Sequence, residues 1–279
     1  YLALLDISKA FDKIDRQTLF HHIWAKCIQG KAWRMIRALY NRVDNKVVFG
    51  LYESEFFAIQ NGVKQGCILS PTLFNLAVTD LDSMLQNHGG VQIGHISVKG
   101  LYYADDIVLL AEGERELEAM LHVANNFSVK WGLNFNKRKS QVLIIGKRIS
   151  NKLGPHLIAE TKSYKYLGQV INRQLRDSEH INTHIMEKAN KHKGYLRYTL
   201  AKHMSIDRVH FGGTLWQKAI LPSISHASGV WFNTTEEAQQ NISTVQHKMA
   251  KAILKLKCRP SNAALLWELG WLPIIEQHF

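Results

Sequence analysis

Residues Val98–Ala111 read VKGLYYADDIVLLA. Two adjacent carboxylates, Asp105 and Asp106, interrupt an otherwise β-forming, largely apolar run. Val98–Tyr103 and Ile107–Leu110 therefore read as the strands of a hairpin with the acids at its tip. Ionised side chains at the end of two buried strands repel one another and lose solvation unless a positive partner meets them, and a divalent cation is the usual one. A solvated turn is the plain alternative. A third acid shifts the balance: Tyr1–Leu5 is an apolar run suited to a buried strand, and it ends on Asp6. Three acids delivered by strand ends are the minimum needed to hold two Mg²⁺ ions close together, one activating an attacking hydroxyl and the other neutralising a leaving phosphate.

Outward from these acids the pattern alternates between strands and helices. A helix is expected from Asp15, with Leu19, Ile23 and Cys27 on one face and Gly30 closing it. A second is expected over Lys31–Tyr40, packing through Trp33, Ile36 and Leu39, and then a strand pair, Lys46–Gly50 with Phe56–Ile59. Gly62–Leu69 reads as a loop before a helix that Ser70 caps and Pro71 opens, with Leu73 and Leu76 on its apolar face. Leu117, Leu121, Ala124 and Phe127 form one stripe of a helix over Glu114–Trp131, stopped by Gly132, and Ser140–Ile145 returns as a strand. This order specifies an α+β fold, a sheet backed by helices.

From His180 onward the pattern is helical throughout. Ile181, Ile185, Leu196 and Leu200 recur at helical spacing, and Met249, Ile253 and Leu256 form a stripe opposed by Lys248, Lys251 and Lys255. That basic face suits a nucleic acid backbone, with a solvated helix face as the plain alternative. His180 and His184, four apart, offer a metal pair that lacks an obvious third ligand.

The chain of 279 residues has 35 basic and 23 acidic side chains, a formal charge of +12, which favours a polyanionic partner such as nucleic acid. Three scattered cysteines, Cys27, Cys67 and Cys258, argue against a zinc module, imply no disulfide framework and point to a reducing compartment; the expected setting is intracellular, cytoplasm and nucleus. Neither a membrane span nor a signal-peptide layout is present in the sequence, and the start within an apolar run without Met suggests a piece of a longer protein.

Five segments together carry a resemblance. Asp6 with Phe11-Asp12, then NGVKQGCILSPTLFNL (Asn61–Leu76), YADD (Tyr103–Asp106), WGLNFNKRKS (Trp131–Ser140) and YKYLG (Tyr164–Gly168) resemble, in order, palm motifs of reverse transcriptases, most closely in style those of non-LTR (LINE-like) retrotransposons. The resemblance implies a right-hand polymerase palm over 1–172, with a partial fingers insertion near 31–60, followed by a helical thumb and C-terminal extension over 173–279. It implies an RNA-directed DNA polymerase that uses Mg²⁺, with Mn²⁺ as the alternative ion, dNTPs, an RNA template and a DNA primer. The rest of the fingers, and a nuclease domain, would belong to the parent polyprotein.

By the same resemblance Asp6 and Asp105 are the bridging metal ligands, with Asp106 in support and the backbone carbonyl of Ile7 as an extra oxygen. Phe11 packs beneath the incoming sugar, where its bulk disfavours a 2′ hydroxyl. Gln65 and Gly66 contact template and nucleotide, with Lys64, where many relatives have Pro, at a phosphate. Lys139, flanked by Lys137 and Arg138, neutralises or protonates the leaving pyrophosphate, and Tyr166, Leu167 and Gly168 form a primer-gripping hairpin. A non-catalytic nucleic-acid-binding remnant and an RNA-copying or intron-maturase-like polymerase are the competing readings.

Overall fold

The computed structural model describes residues 1–146, 158–202, 207–231, 234–258 and 260–278. They form a mixed α and β structure that divides into two compact units, Tyr1–Thr161 and Lys162–Phe279.

The first unit is built around β1 (Leu2–Asp6), the middle strand of five. It is followed by three helices, α1 (Ala10–Lys13), α2 (Arg16–Ala25) and α3 (Gly30–Leu39). Four short strands come next: β2 (Asp44–Asn45), β3 (Val48–Phe49), β4 (Tyr52–Glu53) and β5 (Phe57–Ala58). Then come α4 (Ser70–Met84), the hairpin β6 (Val91–Ile93) and β7 (Ile96–Val98), and the hairpin β8 (Gly100–Tyr103) and β9 (Asp106–Leu110). The unit ends with α5 (Glu114–Lys130), β10 (Gln141–Leu143) and β11 (Ala159–Thr161). The sheet order is β11-β10-β1-β9-β8, antiparallel except where β10 meets β11. Ala3, Leu5, Ile107 and Leu109 pack with the helical residues Phe74, Leu117 and Phe127 in one core. Leu4, Val108 and Leu143 are buried too although they belong to the opposite parity, so these strands read as continuous apolar runs. Helices α4 and α5 are tied by one carboxylate: Asp80 accepts from Trp131 Nε1 at 2.9 Å and Lys130 Nζ at 2.8 Å. Burial pushes this acid up, and the bonds and charge of Lys130 and Trp131 outweigh burial and hold it below the usual carboxylate range.

Several local expectations are corrected. Asp15 caps α2 through Thr18 N–H, but the helix stops at Ala25. Cys27 sits exposed at φ 64°, outside the helical face, and Gly30 opens α3 rather than closing α2. Leu39 is half exposed, so α3 packs through Trp33 and Ile36. The strand pair is a nested hairpin, β3 with β4 inside β2 with β5, because the chain reverses at Gly50-Leu51. Ser70 does not cap α4; its hydroxyl donates to the Lys64 carbonyl at 2.6 Å, although Pro71 does lie in the first turn. Gly132 follows α5 at φ 65°, the left-handed stop its position suggested.

The second unit opens on the hairpin β12 (Ser163–Tyr166) and β13 (Gln169–Asn172), then turns helical. Helix α6 (Asp177–Glu179) runs through a π-helical turn, His180–Ile185, into α7 (Met186–Lys202); α8 (Arg208–Leu215) runs through another, Trp216–Ile220, into α9 (Leu221–Ile224). Helices α10 (Glu236–Ile253), α11 (Asn262–Glu268) and α12 (Ile274–His278) follow. The core holds Ile181, Ile185, Leu196, Met249 and Ile253, with Trp216 stacked on Trp271 at 4.7 Å. Lys248 and Lys251 lie on α10, whereas Lys255 lies past its end at φ 54° and does not continue that helical stripe. Among the described residues no helix is long and apolar enough to cross a membrane.

Candidate active site

The acids meet because of strand register. Asp6, last in β1, is the cross-strand partner of Asp106, first in β9. Asp105 occupies the two-residue turn between Tyr103 and Asp106, with Ala104 at φ 52°, a conformation that costs a residue with a Cβ of order 1 kcal/mol and is held by the paired strands on either side. Ile7 N–H donates to the Asp105 carbonyl at 3.4 Å, so the turn leans on the backbone that follows Asp6.

A third segment closes the site from the other side of β1. Asn136 N–H donates to the Asp6 carbonyl at 2.8 Å, Ser8 N–H to the Asn134 carbonyl at 2.9 Å, and Asp6 N–H to the fully buried Ser140 hydroxyl at 3.1 Å. Ile7 pairs with Phe135 in an isolated bridge. Of the three consecutive cations 137–139, it is Lys139 whose Nζ reaches Asp6 Oδ1, at 3.4 Å. Burial, with Asp105 and Asp6 adding like charge, raises the Asp106 carboxyl above its usual value, and Lys139 only partly opposes them. Hard carboxylate oxygens carrying more negative charge than one lysine offsets match the donor chemistry of a divalent cation such as Mg²⁺. The side chains as they stand do not form a finished cage: among the described residues no group of three or more His, Cys, Asp or Glu is disposed to hold a metal ion.

Phe11 is half-buried and stacks on Phe74 with ring centroids 5.0 Å apart. Its carbonyl accepts from Val63 N–H at 2.7 Å, and Gly62 N–H donates to the Ile14 carbonyl at 2.9 Å. A Cβ on Gly62 would stand 2.6 Å from the Phe11 and Asp12 carbonyl oxygens, so only glycine fits there. Gln65 and Gly66 are exposed; Gln65 donates to Asp12 Oδ1 at 2.7 Å, and Gly66, at φ 80°, faces open space. Lys64 Nζ lies 5.8 Å from the centre of the Tyr40 ring.

In the second unit Tyr166 pairs with Gln169 across a turn in which both Leu167 and Gly168 have positive φ, the geometry of a tight two-residue hairpin. Gly168 packs against His226, where a Cβ would meet the ring at 2.9 Å. His180 and His184 are 5.5 Å apart, but His180 Nδ1 accepts from Val170 N–H. That acceptor role leaves the proton on Nε2, which cannot then ligate a metal.

The spacing of the acids left Asn136, Ser140 and Arg16 without a role, and Asp12 reads from the sequence as a turn residue. Ser140 and Asn136 lie within the quoted segment Trp131–Ser140 and Asp12 beside Phe11, so their positions were in view although their bonds were not.

Residues 1–171 match the family model described as "Reverse transcriptase (RNA-dependent DNA polymerase)". The chain belongs to the reverse transcriptase family. It is 27% identical over 186 residues to the retrovirus-related Pol polyprotein from type-1 retrotransposable element R2 of Nasonia vitripennis, covering 62% of this chain and 18% of that protein. It is 26% identical over 190 residues to the RNA-directed DNA polymerase from mobile element jockey of Drosophila funebris, covering 64% of this chain and 20% of that protein. The matches thus span about a fifth of these relatives. Together they bear out the expected kinship of this reverse transcriptase with non-LTR retrotransposon proteins. Telomerase from Candida albicans, solved in complex with a fragment of telomeric RNA, superimposes with a TM-score of 0.47 at 10% identity, over 100% of this chain and 47% of that one.

Proposed function

We propose that this reverse transcriptase chain carries the palm and a helical thumb of an RNA-directed DNA polymerase, and that Asp6, Asp105 and Asp106 are its catalytic acids. The observation that carries the reading is the cross-strand pairing of Asp6 with Asp106, with Asp105 in the adjoining turn and Lys139 within reach. Asp6 and Asp105, with Asp106 and the Ile7 carbonyl in support, hold Mg²⁺, which when bound supplies charge neutralisation at the primer hydroxyl and the nucleotide phosphates. The acids themselves set the position of the reacting oxygens, and most of the rate gain comes from that positioning. Lys139 moves from Asp6 to the triphosphate and offsets charge on the departing pyrophosphate. Phe11 limits space beside the sugar, favouring dNTPs. Gln65 and Gly66 contact the template–nucleotide pair, with Lys64 on a phosphate. Tyr166, Leu167 and Gly168 grip the primer, and Lys248, Lys251 and Lys255 add backbone contacts that weaken with salt.

The test is primer extension on a primed RNA with dNTPs and Mg²⁺, by a polyprotein of the relatives' kind that contains this chain. Wild type should extend and Asp6→Asn should not; extension by Asp6→Asn at the wild-type rate would overturn the reading. One observation favours a second reading, nucleic-acid binding without synthesis: Asp6 is already engaged by Lys139 and no three-ligand cage stands preformed among the described residues. Salt-sensitive RNA binding with no extension by wild type would select it.

A further inference from the structure

Arg16 is a charged side chain set almost entirely inside the protein, 8% exposed, at the first position of α2. Its guanidinium donates to three backbone carbonyls of one loop: Nε to Gly62 at 2.7 Å, Nη1 to Ile59 at 2.6 Å and Nη2 to Asn61 at 3.1 Å. The planar fork spreads five donors in fixed directions, so it can hold three carbonyls of an irregular loop at once, which a lysine ammonium does less well. The guanidinium carbon also lies 5.3 Å from the centre of the Tyr40 ring, and the Tyr40 hydroxyl meets Ser70 Oγ at 3.2 Å, whose hydroxyl in turn donates to the Lys64 carbonyl. The loop is therefore fixed from Ile59 to Lys64. Its next two residues, Gln65 and Gly66, project into solvent, and Gln65 donates to Asp12. Arg16, Asn61 and Gln65 line the same open cavity of about 650 Å³.

We infer that Arg16 is a positioning residue, which sets the loop 59–64 so that Gln65 and Gly66 are presented to the template–nucleotide pair in one geometry. The inference rests on the polymerase reading above. It places the effect of Arg16 on nucleotide binding rather than on turnover, because the carboxylates on β1 and β9 are held by the sheet, independently of this loop. A small misplacement of a contact residue weakens the bound state it serves, and the effect appears in KM.

The experiment compares wild type with Arg16→Lys by two measurements. In amide hydrogen exchange Arg16→Lys should lose protection at Gly62 and Val63, whose N–H groups bond to Ile14 and Phe11, while Leu4 in β1 and Val108 in β9 keep theirs. In primer extension KM for dNTP should rise about tenfold with kcat changed less than about twofold. If Arg16→Lys also loses protection in β1 and β9, Tyr40→Phe takes its place, since it removes only the hydroxyl link at the far end of the loop; a smaller KM rise in the same direction is then expected. Unchanged KM with increased loop exchange, unchanged loop exchange, or a fall in kcat alone would each overturn the inference. Absence of extension by wild type would remove the polymerase reading and this inference with it, whereas wild-type extension with an unaltered KM in the variant removes only the inference.

Discussion

Each unit holds a close set of titratable side chains, and the two sets are built in opposite ways. At the ends of the interior strands β1 and β9 of the first unit, Asp6, Asp105 and Asp106 stay partly exposed, lie close together and have one lysine against them. In the second unit His180 is 1% exposed, its Nδ1 is taken by Val170 N–H, and burial, helped by His184, Lys188, Lys165 and His226, pushes it down to about 4. The first set leaves carboxylate oxygens only partly met by a cation; the second is held neutral and supports a hairpin. Spacing in sequence points the other way, since an i, i+4 histidine pair looks more like a ligand pair than do acids a hundred residues apart. A candidate metal site is better judged by what its donor atoms already bond to than by their spacing.

The largest expected effect separates the two sets outright. Asp105→Asn should lower primer extension by about 10³-fold or more while leaving salt-sensitive RNA binding in place; His184→Gln should leave extension near wild type. Loss of extension in both, or in neither, would end the contrast. Next comes the cation within the acid set. Lys139→Ala should reduce turnover by roughly 10²-fold, and by removing the one opposing positive charge it should push the Asp106 carboxyl further up, visible by NMR titration. A variant with normal turnover would assign the contact with Asp6 to the resting protein alone.

Two smaller effects concern stability and have opposite signs with pH. His180 has a folded value near 4 against 6.5 when free, so the unfolded chain takes up the proton first as the medium is acidified. The stability it contributes is complete above about pH 6.5 and is lost between there and pH 4. Thermal melts of the second unit should fall by roughly 5 °C across that window, and His180→Gln should flatten the fall. Asp106 is the reverse case, since its folded value is raised. The folded protein holds that proton more tightly, so the site favours folding at low pH and the advantage is lost as pH rises through the folded value. Asp106→Asn should therefore raise the melting temperature at neutral pH without metal, by about 1–2 °C because solvent screens the site, and the gain should vanish at low pH. A melting temperature lowered at neutral pH would mean that the ionised carboxylate helps to hold the ends of β1 and β9 together.

The sequence settled a good deal by itself. The apolar runs Tyr1–Leu5 and Ile107–Leu110 marked buried strands because a strand buried on both sides has no polar alternation to obscure it, and Leu117, Leu121, Ala124 and Phe127 marked α5 because one helical face meets the core. Asp105-Asp106 at a hairpin tip, with five motif segments in order, was enough to anticipate the reverse transcriptase family. Other features depend on partners remote in the chain, and no local pattern encodes them. Strand register alone put Asp6 opposite Asp106, and the segment 134–140 alone decided which of three adjacent cations reaches Asp6. Ser70 looked like a helix cap because such a hydroxyl usually finds its own helix's N–H groups, yet here it is satisfied by the Lys64 carbonyl of an incoming loop. Nothing local in the sequence marks Arg16, because burial of a guanidinium depends on three carbonyls over forty positions away, which only the folded chain brings within hydrogen-bonding distance.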